Sequence, residues 1–111
     1  MNNKLAAAAR RYMAEPRLYV LVRRDLSMSQ QVVQSGHAVA EWALRGPKTK
    51  WKNGTLIVLG VSGKRQLEAW MRRLERLGVT FRTFREPDIG NQPTALAAVH
   101  TGSVFRSLTL L

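Results

Sequence analysis

The run Leu18-Tyr19-Val20-Leu21-Val22 ends in Arg23-Arg24-Asp25 and leads within three residues into a helical pattern from Met28. Nothing else in the chain constrains the fold as much. A strand this apolar must be buried, and a helix that follows it so closely has to lie on the sheet the strand helps to build. The succession then recurs. Thr55-Leu56-Ile57-Val58-Leu59-Gly60-Val61 is nearly all apolar, which predicts a central strand covered on both faces. Residues 63–77 form the clearest helix, with Leu67, Trp70, Met71, Leu74 and Leu77 on one stripe and Gly78 at the C-cap position. Residues 17–24, 79–85 and 94–100 read as the other strands, and the tail 103–110 can add a short helix. The first long helix runs from Met28 to about Leu44, with Ser27 or Ser29 as N-cap and Gly46-Pro47 as its stop. Helix formers over 4–14, closed by Pro16, predict an N-terminal helical extension spanning 1–15.

The order βαβαββ predicts an α/β fold, a three-layer α/β/α sandwich around a four-stranded mixed, mostly parallel sheet. With 111 residues, the chain is expected to form a single domain over 1–111. It has no cysteine, which excludes disulfides, thiolate catalysis and zinc sites built on Cys. No apolar run approaches the roughly 20 residues that span a bilayer, so no membrane partner is expected. The apolar start of the chain is broken by Arg10 and Arg11, unlike a signal peptide, and a cytoplasmic setting is expected. Eighteen Lys+Arg against seven Asp+Glu give a formal charge of +11. A field of that sign and size attracts polyanions, nucleic acid foremost.

The candidate chemistry sits at strand ends. On the first helix Gln30, Gln34, His37 and Glu41 share one face, while Val32, Val33, Gly36, Val39, Ala40 and Ala43 are expected to pack on the sheet, with Gly36 marking a close backbone approach. The loop Glu86-Pro87-Asp88-Ile89-Gly90-Asn91-Gln92-Pro93 brings two acids into a very basic chain, followed by Thr94. Asp25 and Glu86 or Asp88 are expected to converge at one carboxyl edge of the sheet. Arg24, Arg45, Lys48, Lys50, Lys52, Arg72, Arg73 and Arg76 are candidates for contacting RNA phosphates without reading sequence. Trp51 lies among the lysines, where it can stack on a base or join the core. There is no Gly-x-Ser-x-Gly elbow and no phosphate-loop spacing, and His37 and His100 lack metal-ligand spacing, so no metal is expected.

These elements together resemble the type-II peptidyl-tRNA hydrolases. Arg23-Arg24-Asp25-Leu26-Ser27-Met28 is similar to that family's strand end, and Val32-Val33-Gln34-Ser35-Gly36-His37-Ala38 to its helix motif. Trp51 to Leu59 resembles its second strand. Phe84-Arg85-Glu86-Pro87-Asp88 and Thr94-Ala95-Leu96-Ala97 resemble its catalytic loop and last strand, so the likeness runs from about Arg17 to Thr101. The resemblance implies hydrolysis of the ester joining a peptide to tRNA, tRNA as partner, a homodimer, and no cofactor. It puts Asp25, Gln30, Gln34, His37, Glu86, Asp88 and Thr94 in the catalytic site. The chain departs from the family where it bears on chemistry: the stretch before the helix motif is two residues shorter, so that Gln30 stands where the family carries a lysine, and the acidic loop is shorter too, with Glu86 or Asp88 its nearest acid. A glutamine donates only a neutral hydrogen bond, and losing one charged donor typically costs on the order of a hundredfold in rate unless another cation such as Arg24 or Lys48 replaces it. The alternative expectation is a non-catalytic tRNA- or RNA-binding module on the same fold.

Overall fold

Seven consecutive buried residues, Arg17–Arg23, form β1, and the rest of the chain is arranged around them. The computed structural model describes residues 3–7, 15–47, 51–52 and 54–111. After β1 come α1 (Met28–Arg45), β2 (Leu56–Val61), α2 (Lys64–Arg76), β3 (Phe81–Glu86) and β4 (Gln92–His100). Alternation along β1 feeds two cores. Tyr19 and Leu21 pack with Leu59, Val61, Leu96, Ala98 and the α2 residues Leu67, Trp70 and Leu74. Leu18, Val20 and Val22 pack with Ala95, Ala97 and the α1 residues Ala38 and Trp42. One helix therefore lies on each face of the sheet, and the three-layer α/β/α arrangement predicted above is the one found. Each fully buried Leu or Val of these cores contributes about 1.5–3 kcal/mol over an exposed one. Among the described residues no helix is long and apolar enough to cross a membrane.

The sheet runs β2-β1-β4-β3, and it corrects two expectations. It is mixed, but only β1 and β2 are parallel; β4 is antiparallel to both β1 and β3. The reason is local. A 3-10 turn over Pro87–Ile89 is followed by Gly90 at φ 68° and Asn91 at φ 58°, and the Asn91 amide donates to the Glu86 carbonyl at 3.0 Å. That closes a hairpin, which reverses the strand. The second correction is that β2 is an edge strand rather than a central one. Its apolar sequence is tolerated because the C-terminal residues cover its outer edge. Gly60 N–H donates to the Thr109 carbonyl at 3.1 Å, and Leu111 N–H to the Val58 carbonyl at 3.0 Å. Arg24 locks this segment down, its Nη2 donating to the Leu110 carbonyl at 2.7 Å and to Thr109 Oγ1 at 3.1 Å. The middle of the β2 edge, from Val58 to Gly60, is thereby paired.

α1 starts where expected, with Ser27 Oγ accepting the Gln30 amide at 3.2 Å, and it ends at Gly46. Its orientation is the reverse of the prediction. Gln34, Ala38 and Trp42 form the buried ridge, while Val32 is 67% exposed, and Val33, Gly36, Ala40 and Ala43 are exposed as well. Nothing lies within 4 Å of where a Gly36 Cβ would be, so no close approach requires that glycine. Trp42 supplies the large apolar surface that the valines were expected to supply, and the buried amide of Gln34 is fully hydrogen-bonded, as described below. Gly78, at φ +70°, follows the last turn of α2. The tail forms a single 3-10 turn, Ser103–Phe105, whose Phe105 ring packs 4.9 Å from Tyr19 and 5.5 Å from Trp70. Trp51 belongs to the α1-side core, with its indole N–H donating to the Thr55 carbonyl at 2.7 Å. Of the N-terminal extension, residues 3–7 are helical and 8–14 lie outside the described residues.

Candidate functional site

A cavity of about 320 Å³ opens on the α1 side of the sheet, lined by Leu26, Gln30, Val33, Gln34, His37, Glu86, Asp88, Ile89 and Thr94. Three elements build it. α1 contributes its polar face, the hairpin turn contributes the two acids, and β4 contributes Thr94. Thr94 reaches the cavity through a β-bulge. Phe84 pairs with Ala95 and Arg85 with Pro93, so Thr94 is the extra residue on β4. Regular alternation would turn Thr94 away from its neighbour Ala95, which packs on the α1 side. The bulge instead aims the hydroxyl at α1.

Gln34 is the hub. It is only 1% exposed, and its amide is committed on both ends. Nε2 donates to Glu86 Oε2 at 3.0 Å and to Gln30 Oε1 at 3.2 Å, while Oε1 accepts from Thr94 Oγ1 at 2.6 Å. Both donor hydrogens are used, so Gln34 holds its neighbours in place. Glu86 also caps its own turn, its Oε1 accepting the Asp88 amide at 3.4 Å. The hydrogen bond from Gln34 is the main reason the Glu86 carboxyl sits below the usual carboxylate range, helped by the Asp88 amide and by His37 nearby. The His37 ring stacks flat on Phe84, with centroids 4.2 Å apart and planes at 10°, which fixes its plane. Neither of its ring nitrogens has a hydrogen-bond partner among the described residues. The arrangement is a rigid row, Thr94–Gln34–Glu86, beside an unpaired imidazole. It can orient a water molecule and accept a proton from it. Among the described residues no cluster of His, Cys, Asp or Glu could hold a metal ion.

Of the residues singled out from sequence, Gln30, Gln34, His37, Glu86, Asp88 and Thr94 meet in this cavity, and Asp25 does not line it. Asp25 lies at the same carboxyl edge but faces the α2 side. Arg23 grips both its oxygens, Nε to Oδ1 at 2.9 Å and Nη2 to Oδ2 at 2.7 Å. This bidentate bond keeps the Asp25 carboxyl below the usual range. Arg23 is itself buried and reaches on to Gln92 Oε1 at 3.0 Å and the Pro93 carbonyl at 3.2 Å, so it ties the end of β1 to the start of β4 behind the cavity. Sequence reasoning passed over Arg23, the last residue of β1, although it stands only two residues before Asp25. It also passed over Phe84, which fixes the imidazole, and the apolar walls Leu26, Val33 and Ile89.

Among the described residues no lysine or arginine lines the cavity. Arg24 is engaged with the C-terminal segment, and Arg45 pairs with Glu41 at 2.7 Å. Lys52 is exposed, and Lys48 and Lys50 lie outside the described residues. Arg72, Arg73 and Arg76 are exposed on α2, on the far side of the sheet from the cavity.

The fold has a relative among solved structures. A protein of unknown function from Agrobacterium tumefaciens str. C58 superposes with a TM-score of 0.65 at 12% identity, covering 87% of this chain and 98% of that one. At that identity the likeness concerns the fold alone. No family model matches the chain, and no curated protein matches it.

Proposed function

We propose that the chain is a hydrolase of the peptidyl-tRNA type, acting in the cytoplasm on the ester between a peptide and the terminal ribose of tRNA. The observation that carries this reading is the convergence of Gln30, Gln34, His37, Glu86, Asp88 and Thr94 on one cavity in a chain of charge +11. Ester hydrolysis by water needs a held nucleophile, a proton acceptor and a donor to the developing oxyanion. Glu86 stays ionised at neutral pH and accepts a hydrogen bond from the attacking water. His37 takes the water proton as the new C–O bond forms, then returns it to the ribose oxygen as the ester C–O bond breaks. Gln30, exposed at the mouth, donates its free amide N–H to the oxyanion. Gln34 and Thr94 are positioning residues for Glu86, and Asp88 stands beside Glu86 in the cavity wall. Asp25 acts through Arg23 on the strand ends and does not touch substrate. Exposed arginines of α2, Arg72, Arg73 and Arg76, hold the tRNA phosphates. No metal or organic cofactor takes part. If the protein is a homodimer, the bare apolar face of α1 from Met28 to Leu44 is the surface that would join the copies.

The test is release of N-acetylated amino acid from charged tRNA, compared with buffer, for wild type, His37→Ala and Glu86→Gln. Wild type should exceed both variants by at least about a hundredfold. A wild-type rate no greater than buffer refutes the proposal.

One observation favours a second reading, a non-catalytic tRNA-binding module: among the described residues no lysine or arginine lines the cavity to meet an oxyanion. Tight tRNA binding with no ester cleavage in the same assay selects it.

A further inference from the structure

On the α2 side of the sheet two grooves run between α2 and the C-terminal turn. One, of about 510 Å³, is lined by Arg73, Ser103, Val104, Arg106 and Ser107; the other, of about 330 Å³, by Gln66, Ala69, Trp70, Arg73, Arg76 and Ser107. They share Arg73 and Ser107 and so adjoin, and the two together are called the channel below. Its chemistry is one-sided: three guanidinium groups, two serine hydroxyls and an amide, with no carboxylate among the described residues that line it. The two acids of α2, Glu68 and Glu75, lie outside the lining, and Glu68 is close enough to Arg23 to favour that residue's charge. No salt bridge of Arg73, Arg76 or Arg106 occurs among the described residues, whereas Arg23 and Arg45 each have a carboxylate. Arg73 is also pre-set, its guanidinium lying 4.8 Å over the Trp70 ring. Arg73 and Arg76, three apart, stand side by side on the helix surface, about 5–6 Å between Cβ atoms.

We infer that this channel is a binding site for consecutive phosphates of an RNA backbone, separate from the cavity on the α1 side. Three uncompensated guanidiniums attract a polyanion, and the hydroxyls and amide add donors to phosphate oxygens without reading bases. A membrane surface fits less well, because none of the exposed bulky apolar side chains lines the channel to enter a lipid layer. An acidic protein fits less well for a related reason: apart from half-buried Val104 and the Trp70 edge, the channel has no apolar anchor, and protein partners usually need one at the centre of an interface. The inference rests on the RNA-directed reading above and adds where the RNA is gripped. Because channel and cavity face opposite sides of the sheet, the phosphates held here belong to a part of the RNA remote from the 3′ end that the cavity would receive.

The experiment is binding of fluorescently labelled deacylated tRNA as a function of salt. Deacylated tRNA has no ester to cleave, so the result does not depend on hydrolysis. The variants are Arg73→Gln/Arg106→Gln and, should that pair fold poorly by thermal melting, Arg76→Gln/Arg106→Gln. A charge-matched control, Arg82→Gln/Arg85→Gln, removes the same charge from the β3 edge. The channel pair is expected to weaken binding at low salt by at least about tenfold and to reduce the slope of log K against log salt by about two, one for each phosphate that no longer meets a guanidinium. The control is expected to leave that slope unchanged. Equal effects from channel and control pairs, or an unchanged slope in the channel pair, overturn the inference. A protein that binds tRNA through the channel yet cleaves no ester removes the hydrolase proposal alone.

Discussion

Replacing Thr94 by Val tests the row of hydrogen bonds that organises the cavity. The two side chains are nearly isosteric, so the change deletes one hydroxyl and leaves packing intact. Thr94 is fully buried and its Oγ1 is the donor, at 2.6 Å, to a Gln34 carbonyl oxygen that is itself out of water. A buried acceptor left without its donor costs about 1–3 kcal/mol. For a domain near this size, each 1 kcal/mol lowers Tm by roughly 4–8 °C. Gln34→Leu removes the other partner. The orphaned Thr94 hydroxyl then has only the Phe84 carbonyl, at 3.5 Å, a long bond that recovers little. Each single substitution therefore leaves a stranded polar group, and the pair together leaves none on this bond. Urea unfolding of the two single variants and the double should give a coupling of about 1 kcal/mol or more, the double costing less than the sum. Additivity within about 0.3 kcal/mol would refute the reasoning, because the amide would then not depend on the hydroxyl.

Two further outcomes follow from the same geometry. Val32→Glu, on the bare face of α1, should change monomer stability by no more than about 0.5 kcal/mol, whereas Ala38→Glu, further along the helix on its buried ridge, should prevent folding; a large loss at Val32, or dissociation of a dimer by gel filtration, would mean that a second copy covers this face. Because Arg23 holds the Asp25 carboxyl below its unfolded value, the stability this pair contributes is fully present above about pH 4 and is lost as pH falls through the lower folded value. Asp25→Asn should flatten the acid limb of stability below that pH and leave the slope near neutrality unchanged, measured as urea midpoints against pH.

Much of the architecture was legible because it rests on local patterns. The stripe of Leu67, Trp70 and Leu74 fixes α2, and Ser27 and Gly46 fix the ends of α1, in each case through chemistry confined to a few residues. What sequence could not supply was the partner of each element. The run Leu56–Val61 is as apolar as a central strand, and only the return of the C-terminal segment explains why an edge strand has that composition. Strand direction failed similarly, because the positive φ of Asn91 that closes the hairpin is one of several turns the same residues permit. The buried face of α1 is not legible in sequence because a glutamine is ordinarily exposed; its burial is tolerated only when Thr94, Glu86 and Gln30 all stand within reach, which is a tertiary fact. For the site, the residue types were readable and their gathering was not. Gln34, His37 and Glu86 come together as expected, while Asp25 turns to the opposite face because Arg23, one side-chain alternation away, claims it first.

The extra residue on β4 makes strand length a chemical variable. Deleting one residue between Gln92 and Ala95 would iron the strand flat while leaving Leu96 and Ala98 in register with Thr83 and Phe81. The sheet would survive such an edit, yet no hydroxyl would point toward Gln34. A protein shortened there would keep its sheet and helices and would have lost the anchor of its glutamine, so insertions and deletions at this one position separate what the architecture needs from what the cavity needs.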